Sequence, residues 1–134
     1  TIGTGTPYSV HKVLDEVLKV VELDKVALHF HDTRGMAVAN VVAGLERGVT
    51  NYDSSAGGLG GCPYAQGATG NVATEDLVYL FQSLGIDCGI DLDKQCSSSV
   101  FMLDRLEKYT TSKFLQAYLN GKMKVYLPRP TDYK

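Results

Sequence analysis

Val26-Ala27-Leu28-His29-Phe30-His31 is followed by Met36 to Arg47, and then by Val49-Thr50-Asn51-Tyr52-Asp53-Ser54. The first and last stretches read as short strands over 26–31 and 49–54. Between them, residues 36–47 read as a helix ended by Gly48. Upstream, Thr6-Pro7 is a good N-cap and first-turn pair, because proline's missing N–H is not needed there. Val10, Val13, Leu14, Val17, Leu18 and Val21 then recur with helical spacing, so a helix is expected to run to about Glu22. Downstream comes a glycine-dense run with Gly57, Gly58, Gly60, Gly61, Gly67 and Gly70. Thr74-Glu75-Asp76 opens a third helix that Gly85 ends, with its acidic residues where the helix dipole favours them. Further helices are expected over 91–109 and 112–120, followed by a loose tail containing Pro128 and Pro130.

Helix, strand, helix, strand, glycine loop, helix is an α/β order with parallel strands. A further strand stub is expected at residues 1–3, where Thr1-Ile2-Gly3-Thr4-Gly5 has the look of a strand end and its loop. Two strands and a stub make a poor sheet, and a (β/α)8 barrel takes about 250 residues. The chain has 134. The expected architecture is therefore the C-terminal part of a (β/α)8 TIM barrel followed by extra C-terminal helices. Its division is βα units over 1–109, then a C-terminal helix and tail over 110–134.

Composition narrows the function classes. Hydrophobic residues at 44% and charged residues at 21% are ordinary for a folded domain with a real core. Thirteen basic against fifteen acidic side chains, net −2, argue against an electrostatic nucleic-acid binder. Apolar runs are only a few residues long, so no membrane span is expected. Cys62, Cys88 and Cys96 are an odd count without close pairing, and no signal-peptide pattern opens the chain. A protein that is not secreted, cytoplasmic of bacterial type or in the mitochondrial matrix, is the expectation.

His29-Phe30-His31-Asp32 is the sharpest chemical signal. Strand side chains alternate, so His29 and His31 share a face while Phe30 faces the packing layer. Two imidazoles at i and i+2 can grip a divalent ion, or be two partly buried histidines with hydrogen-bonded nitrogens. Asp32 can orient an imidazole or cap the next turn. In the glycine loop, Cys62 can exchange a proton or be incidental. Cys88 and Cys96 read as structural. Asn71 can ligate a hard cation or serve helix-cap chemistry, and Glu75 is a first-turn carboxylate or a group facing the site. The loop is no phosphate loop, since neither GxxxxGK[ST] nor GxGxxG spacing occurs.

Taken together, several stretches resemble the C-terminal half of the 3-hydroxy-3-methylglutaryl-coenzyme A lyase family. They are Thr1-Ile2-Gly3 with Gly5-Thr6-Pro7, His29-Phe30-His31-Asp32-Thr33, Ala37-Val38-Ala39-Asn40, and above all Asp53 to Ala65 continuing through Gly67 to Asp76. The HxHD and Ala-Asn motifs are shared with related metal-dependent aldol-type enzymes. The Gly58-Leu59-Gly60-Gly61-Cys62-Pro63-Tyr64 run is far more specific to the lyase. One departure is Ser55-Ala56-Gly57-Gly58, where the family usually has Ser-Val-Ala-Gly.

The resemblance implies a metallolyase that cleaves 3-hydroxy-3-methylglutaryl-CoA to acetyl-CoA and acetoacetate, a reaction of leucine degradation and ketone body formation. It implies a divalent Mg or Mn ion held by His29, His31 and Asn71, with His29 and Cys62 as catalytic residues and Cys62 exchanging the proton. Thr1, Glu75 and Asp32 would line or support the site. The implied partners are an acyl-CoA substrate and a second copy of the complete protein, with no nucleic acid and no membrane. The family's remaining metal ligand sits in an Arg-Asp-Gly-Leu-Gln run that this chain lacks, so the chain alone is expected to be inactive. The alternatives are a condensing relative that joins acetyl-CoA to a 2-oxo acid, and a non-catalytic half-barrel assembly module.

Overall fold

Thr6 caps the first helix through its hydroxyl, which accepts the Ser9 N–H at 3.3 Å, and Pro7 occupies the first turn. The computed structural model describes residues 2–61, 67 and 70–122, and in it this helix, α1, spans Pro7–Val17. It stops short of the expected Glu22. Lys19 and Val20 bond only three residues back, and Val20 is 85% exposed, so no core contact rewards a further turn. Of the periodic apolar positions, Val10 and Leu14 are buried and Val13 is exposed.

The strands β1 (Ala27–His29) and β2 (Asn51–Asp53) pair in parallel, with Ala27 opposite Asn51, Leu28 opposite Tyr52 and His29 opposite Asp53. Both are shorter than the six residues expected of each. The backbone beyond β1 pairs instead with the end of the glycine loop, through an antiparallel bridge of His31 to Asn71. Beyond β2 it makes a parallel bridge, Ser55 to Ala73. The expected stub is not seen: Ile2 and Gly3 form no strand, and Thr1 lies outside the described residues.

Between the strands runs α2 (Ala37–Glu46), ended by Gly48 at φ 82. It lies so close to the sheet that a Cβ on Gly44 would meet Leu28 Cδ1 at 2.5 Å and the Tyr52 hydroxyl at 2.8 Å. Leu28, Phe30 and Tyr52 therefore face α1 and α2, while Ala27, His29, Asn51 and Asp53 are exposed on the other face.

After the glycine loop come α3 (Thr74–Ser83), α4 (Leu92–Arg105) and α5 (Lys113–Lys122). Asp91 caps α4 by accepting the Lys94 N–H at 3.0 Å. α4 ends at Arg105 rather than 109, because the Lys108 N–H turns back to the Leu103 carbonyl at 2.9 Å and terminates the helix. Ser112 caps α5, its Oγ accepting the Leu115 N–H at 3.0 Å. Leu115 packs with Cys96 and Leu103, joining α5 to α4. Two further apolar clusters lie between α1, α2 and β1 and between α2 and α3. The result is an α/β fold whose helices cover the outer face of a parallel sheet. Among the described residues, no helix is long and apolar enough to cross a membrane.

Candidate active site

His29 and His31 flank Phe30 at the C-terminal end of β1, and their ring centroids are 5.2 Å apart at 61°. Both line a cavity of about 300 Å³ with Gly3, Gly5, Leu28 and Asn40. The alternation expected from sequence thus holds: the imidazoles share a face and Phe30 packs into the core. His29 Nδ1 lies 3.7 Å from Asp53 Oδ2 on β2, its register partner. His31 Nδ1 is buried and has no hydrogen-bond partner among the described residues.

Asn71 reaches this place through the backbone. Val72 N–H donates to the Phe30 carbonyl at 3.0 Å, and Asp32 N–H to the Gly70 carbonyl at 3.2 Å. These bonds clamp residues 70–72 along 30–32 and set Asn71 beside His31. Its side-chain amide Nδ2 donates to the Leu59 carbonyl at 3.1 Å, which leaves the amide oxygen as the other polar end. Asn71 does not cap α3, whose N-cap is Ala73 with no side-chain bond.

Glu75 is fully buried. Its carboxylate accepts the Gly57 N–H at 3.0 and 3.1 Å and also bonds the Ser99 hydroxyl of α4. A buried carboxylate needs such donors. Glu75 therefore holds the start of the glycine loop in place, and among the described residues its hydrogen bonds go to Gly57, Ser99 and Gln95 rather than to the histidines. Asp32 Oδ1 accepts the Ala37 N–H at 2.8 Å, which is the capping arrangement of the two readings open for it. Cys62 and Thr1 lie outside the described residues. Cys88 is half-buried after α3, and Cys96 is buried within α4.

Two residues near the histidines stood in the sequence only within the motifs of the resemblance, with no contact assigned to either. Asp53 stood at a strand end and at the head of the Asp53–Ala65 stretch, and the parallel register brings it to His29. Asn40 is 3% exposed, and its Nδ2 donates to the Gly5 carbonyl at 3.0 Å, fixing the lead-in to α1. Its signal was present: a lone amide inside the otherwise apolar face of α2.

The arrangement offers nitrogen and oxygen donors on one face at the C-terminal ends of parallel strands, where α/β folds carry their chemistry. The orphaned Nδ1 of His31 and the free end of the Asn71 amide fit a divalent cation of hard or borderline character. Among the described residues no group of three His, Cys, Asp or Glu side chains could hold a metal, so the set depends on the asparagine and supplies no cluster with a carboxylate.

The model of the HMGL-like family matches residues 1–101. The mitochondrial hydroxymethylglutaryl-CoA lyase of chicken, Gallus gallus, is 51% identical over 116 residues, which are 87% of this chain and 39% of that protein. The cytoplasmic 3-hydroxy-3-methylglutaryl-CoA lyase of mouse, Mus musculus, is 45% identical over 123 residues, 92% of this chain and 36% of that protein. The structure of an HMG-CoA lyase from Acinetobacter baumannii in complex with coenzyme A and 3-methylmalate superposes with a TM-score of 0.81 at 38% identity. That match covers 96% of this chain and 41% of the other. The chain thus spans about two-fifths of the length of the relatives it matches.

Proposed function

We propose that this chain, which belongs to the HMGL-like family, forms the C-terminal βα units of a lyase that cleaves 3-hydroxy-3-methylglutaryl-CoA to acetyl-CoA and acetoacetate. The observation that carries the reading is the bridge that sets Asn71 beside His31, whose buried Nδ1 lacks a partner among the described residues. His29, His31 and Asn71 would hold a divalent ion such as Mg2+ or Mn2+. When bound, that ion supplies Lewis-acid polarisation of the substrate's oxygens.

The chain's own residues supply the rest. His29, with Nδ1 3.7 Å from Asp53 Oδ2, would act in the reaction through the ion it holds by its other ring nitrogen, the ring oriented by that carboxylate. Cys62, carried over from the family motif, would return a proton to the carbon of the acetyl fragment. Glu75 and Asp32 support the site indirectly, by fixing the glycine loop and the start of α2. Thr1 would line the site from the preceding segment. The acyl-CoA substrate and a second copy of the complete protein are the proposed partners.

The decisive experiment is an intact mass of the native protein, followed by assay of the full-length protein with 3-hydroxy-3-methylglutaryl-CoA and Mg2+ or Mn2+. Acetoacetate release, lost by at least about a hundredfold in His31→Ala, is the expected result. Condensation of acetyl-CoA with a 2-oxo acid, without cleavage, would overturn it. The 134-residue chain alone is expected to release no acetoacetate.

A further inference from the structure

We propose that Thr110 and Thr111 are positioning residues that hold Asn71 in place through the Gly57–Leu59 turn; this rests on the reading of Asn71 as a metal ligand. Gly57 has φ 62, in the left-handed region, and it is buried. Both sides of this residue are tied to distant elements. Its N–H donates to Glu75 of α3, while its carbonyl accepts the Thr110 hydroxyl at 3.0 Å and the Thr111 N–H at 3.2 Å. Leu103 of α4 stands where a Gly57 side chain would be, with Cδ1 2.8 Å from an ideal Cβ, so the turn is closed from that side as well.

The turn then fixes itself. Gly58 N–H donates to the Ser55 carbonyl at 3.0 Å and Leu59 N–H to the Ala56 carbonyl at 3.1 Å. The place of the Leu59 carbonyl therefore follows from the place of Gly57. That carbonyl accepts the Asn71 amide at 3.1 Å and so decides which end of the amide remains for a ligand. A continuous series of bonds leads from the segment between α4 and α5, through Gly57 and Leu59, to the residue beside His31. Thr110 touches none of the reacting atoms, and removing its hydroxyl leaves the buried Gly57 carbonyl with only the Thr111 N–H.

The test compares Thr110→Val with Thr110→Ser, in this chain and in the full-length protein. Thr110→Val is expected to speed exchange of the Gly57 N–H and the Asn71 side-chain amide in metal-free protein. It is also expected to weaken Mn2+ binding by about tenfold, the lower end for a group behind a metal ligand. Thr110→Ser restores both. In the full-length protein kcat falls with little change in KM. Unchanged Mn2+ affinity in Thr110→Val, or failure of serine to restore it, overturns the proposal. So does rapid exchange of the Thr111 N–H in the wild-type chain, a measurement that stands even if the valine variant does not fold. Cleavage with Mn2+ affinity unmoved refutes the clamp and keeps the reaction. The valine–serine pattern in a protein that does not cleave refutes the reaction and keeps the clamp.

Discussion

At the scale of single residues, Glu107 is the only non-glycine position with positive φ among the described residues, at φ 51 just beyond the end of α4. A side chain there is strained by about 1 kcal/mol, and glycine removes the strain at some entropic expense. Glu107→Gly should therefore raise stability by about 0.5 kcal/mol, seen as a later urea midpoint with an unchanged slope. Tyr52 carries a second prediction. Burial pushes its hydroxyl up to about 12, whereas an unfolded tyrosine titrates near about 10. The folded state thus keeps a proton that the unfolded state gives up. The stability it contributes is whole below pH about 10 and is lost as pH rises towards about 12. Tyr52→Phe should flatten the alkaline loss of stability in that window, and an unchanged slope would refute the assignment. Residues whose environment is set by local period were legible beforehand, as His29 and His31 were. Glu75 was not: its partners Gly57 and Ser99 lie 18 and 24 positions away, and no spacing announces them.

Among the elements, starts were easier to see than ends. Thr6-Pro7, Asp91 and Ser112 mark helix starts by chemistry that acts within one turn, and the structure places caps at all three. Ends depend on what the next turn finds: α1 stops where it has nothing to pack against, and α4 where the Lys108 N–H turns back to Leu103. The strands shortened for a related reason: a ladder needs a second backbone, and sequence does not show where 30–32 finds one. Its partner is the end of the glycine loop. Asp76 links two helices that sequence treats as separate. Its carboxylate accepts the Ser112 hydroxyl and the Phe114 N–H, each at 2.8 Å, so α3 caps α5. Asp76→Ala should cost about 1–3 kcal/mol, with hydrogen exchange rising first in α5. Uniform loss of protection across all helices would show instead that the cap is not local.

For the whole molecule, the family and the fold class were readable from the HxHD motif and the glycine run, because those residues meet within short stretches. The two-stranded sheet leaves the outer edges of β1 and β2 unpaired among the described residues, and Ala27, His29, Asn51 and Asp53 face solvent. Unpaired parallel edges recruit other backbones. Light scattering of the isolated chain should therefore report species larger than 14.5 kDa, and a stable monomer would count against that view. The link from Thr110 back to Gly57 spans 53 positions, and this bears on how the protein is made. Synthesis at about 5–20 residues per second leaves roughly 3–10 seconds between the two residues leaving the ribosome. Until Thr110 emerges, Glu75 can hold the Gly57 N–H, but the Gly57 carbonyl has no donor from the segment between α4 and α5. A product that stopped before Thr110 would keep both histidines and Cys62 and leave the Gly57 carbonyl without its Thr110 and Thr111 donors.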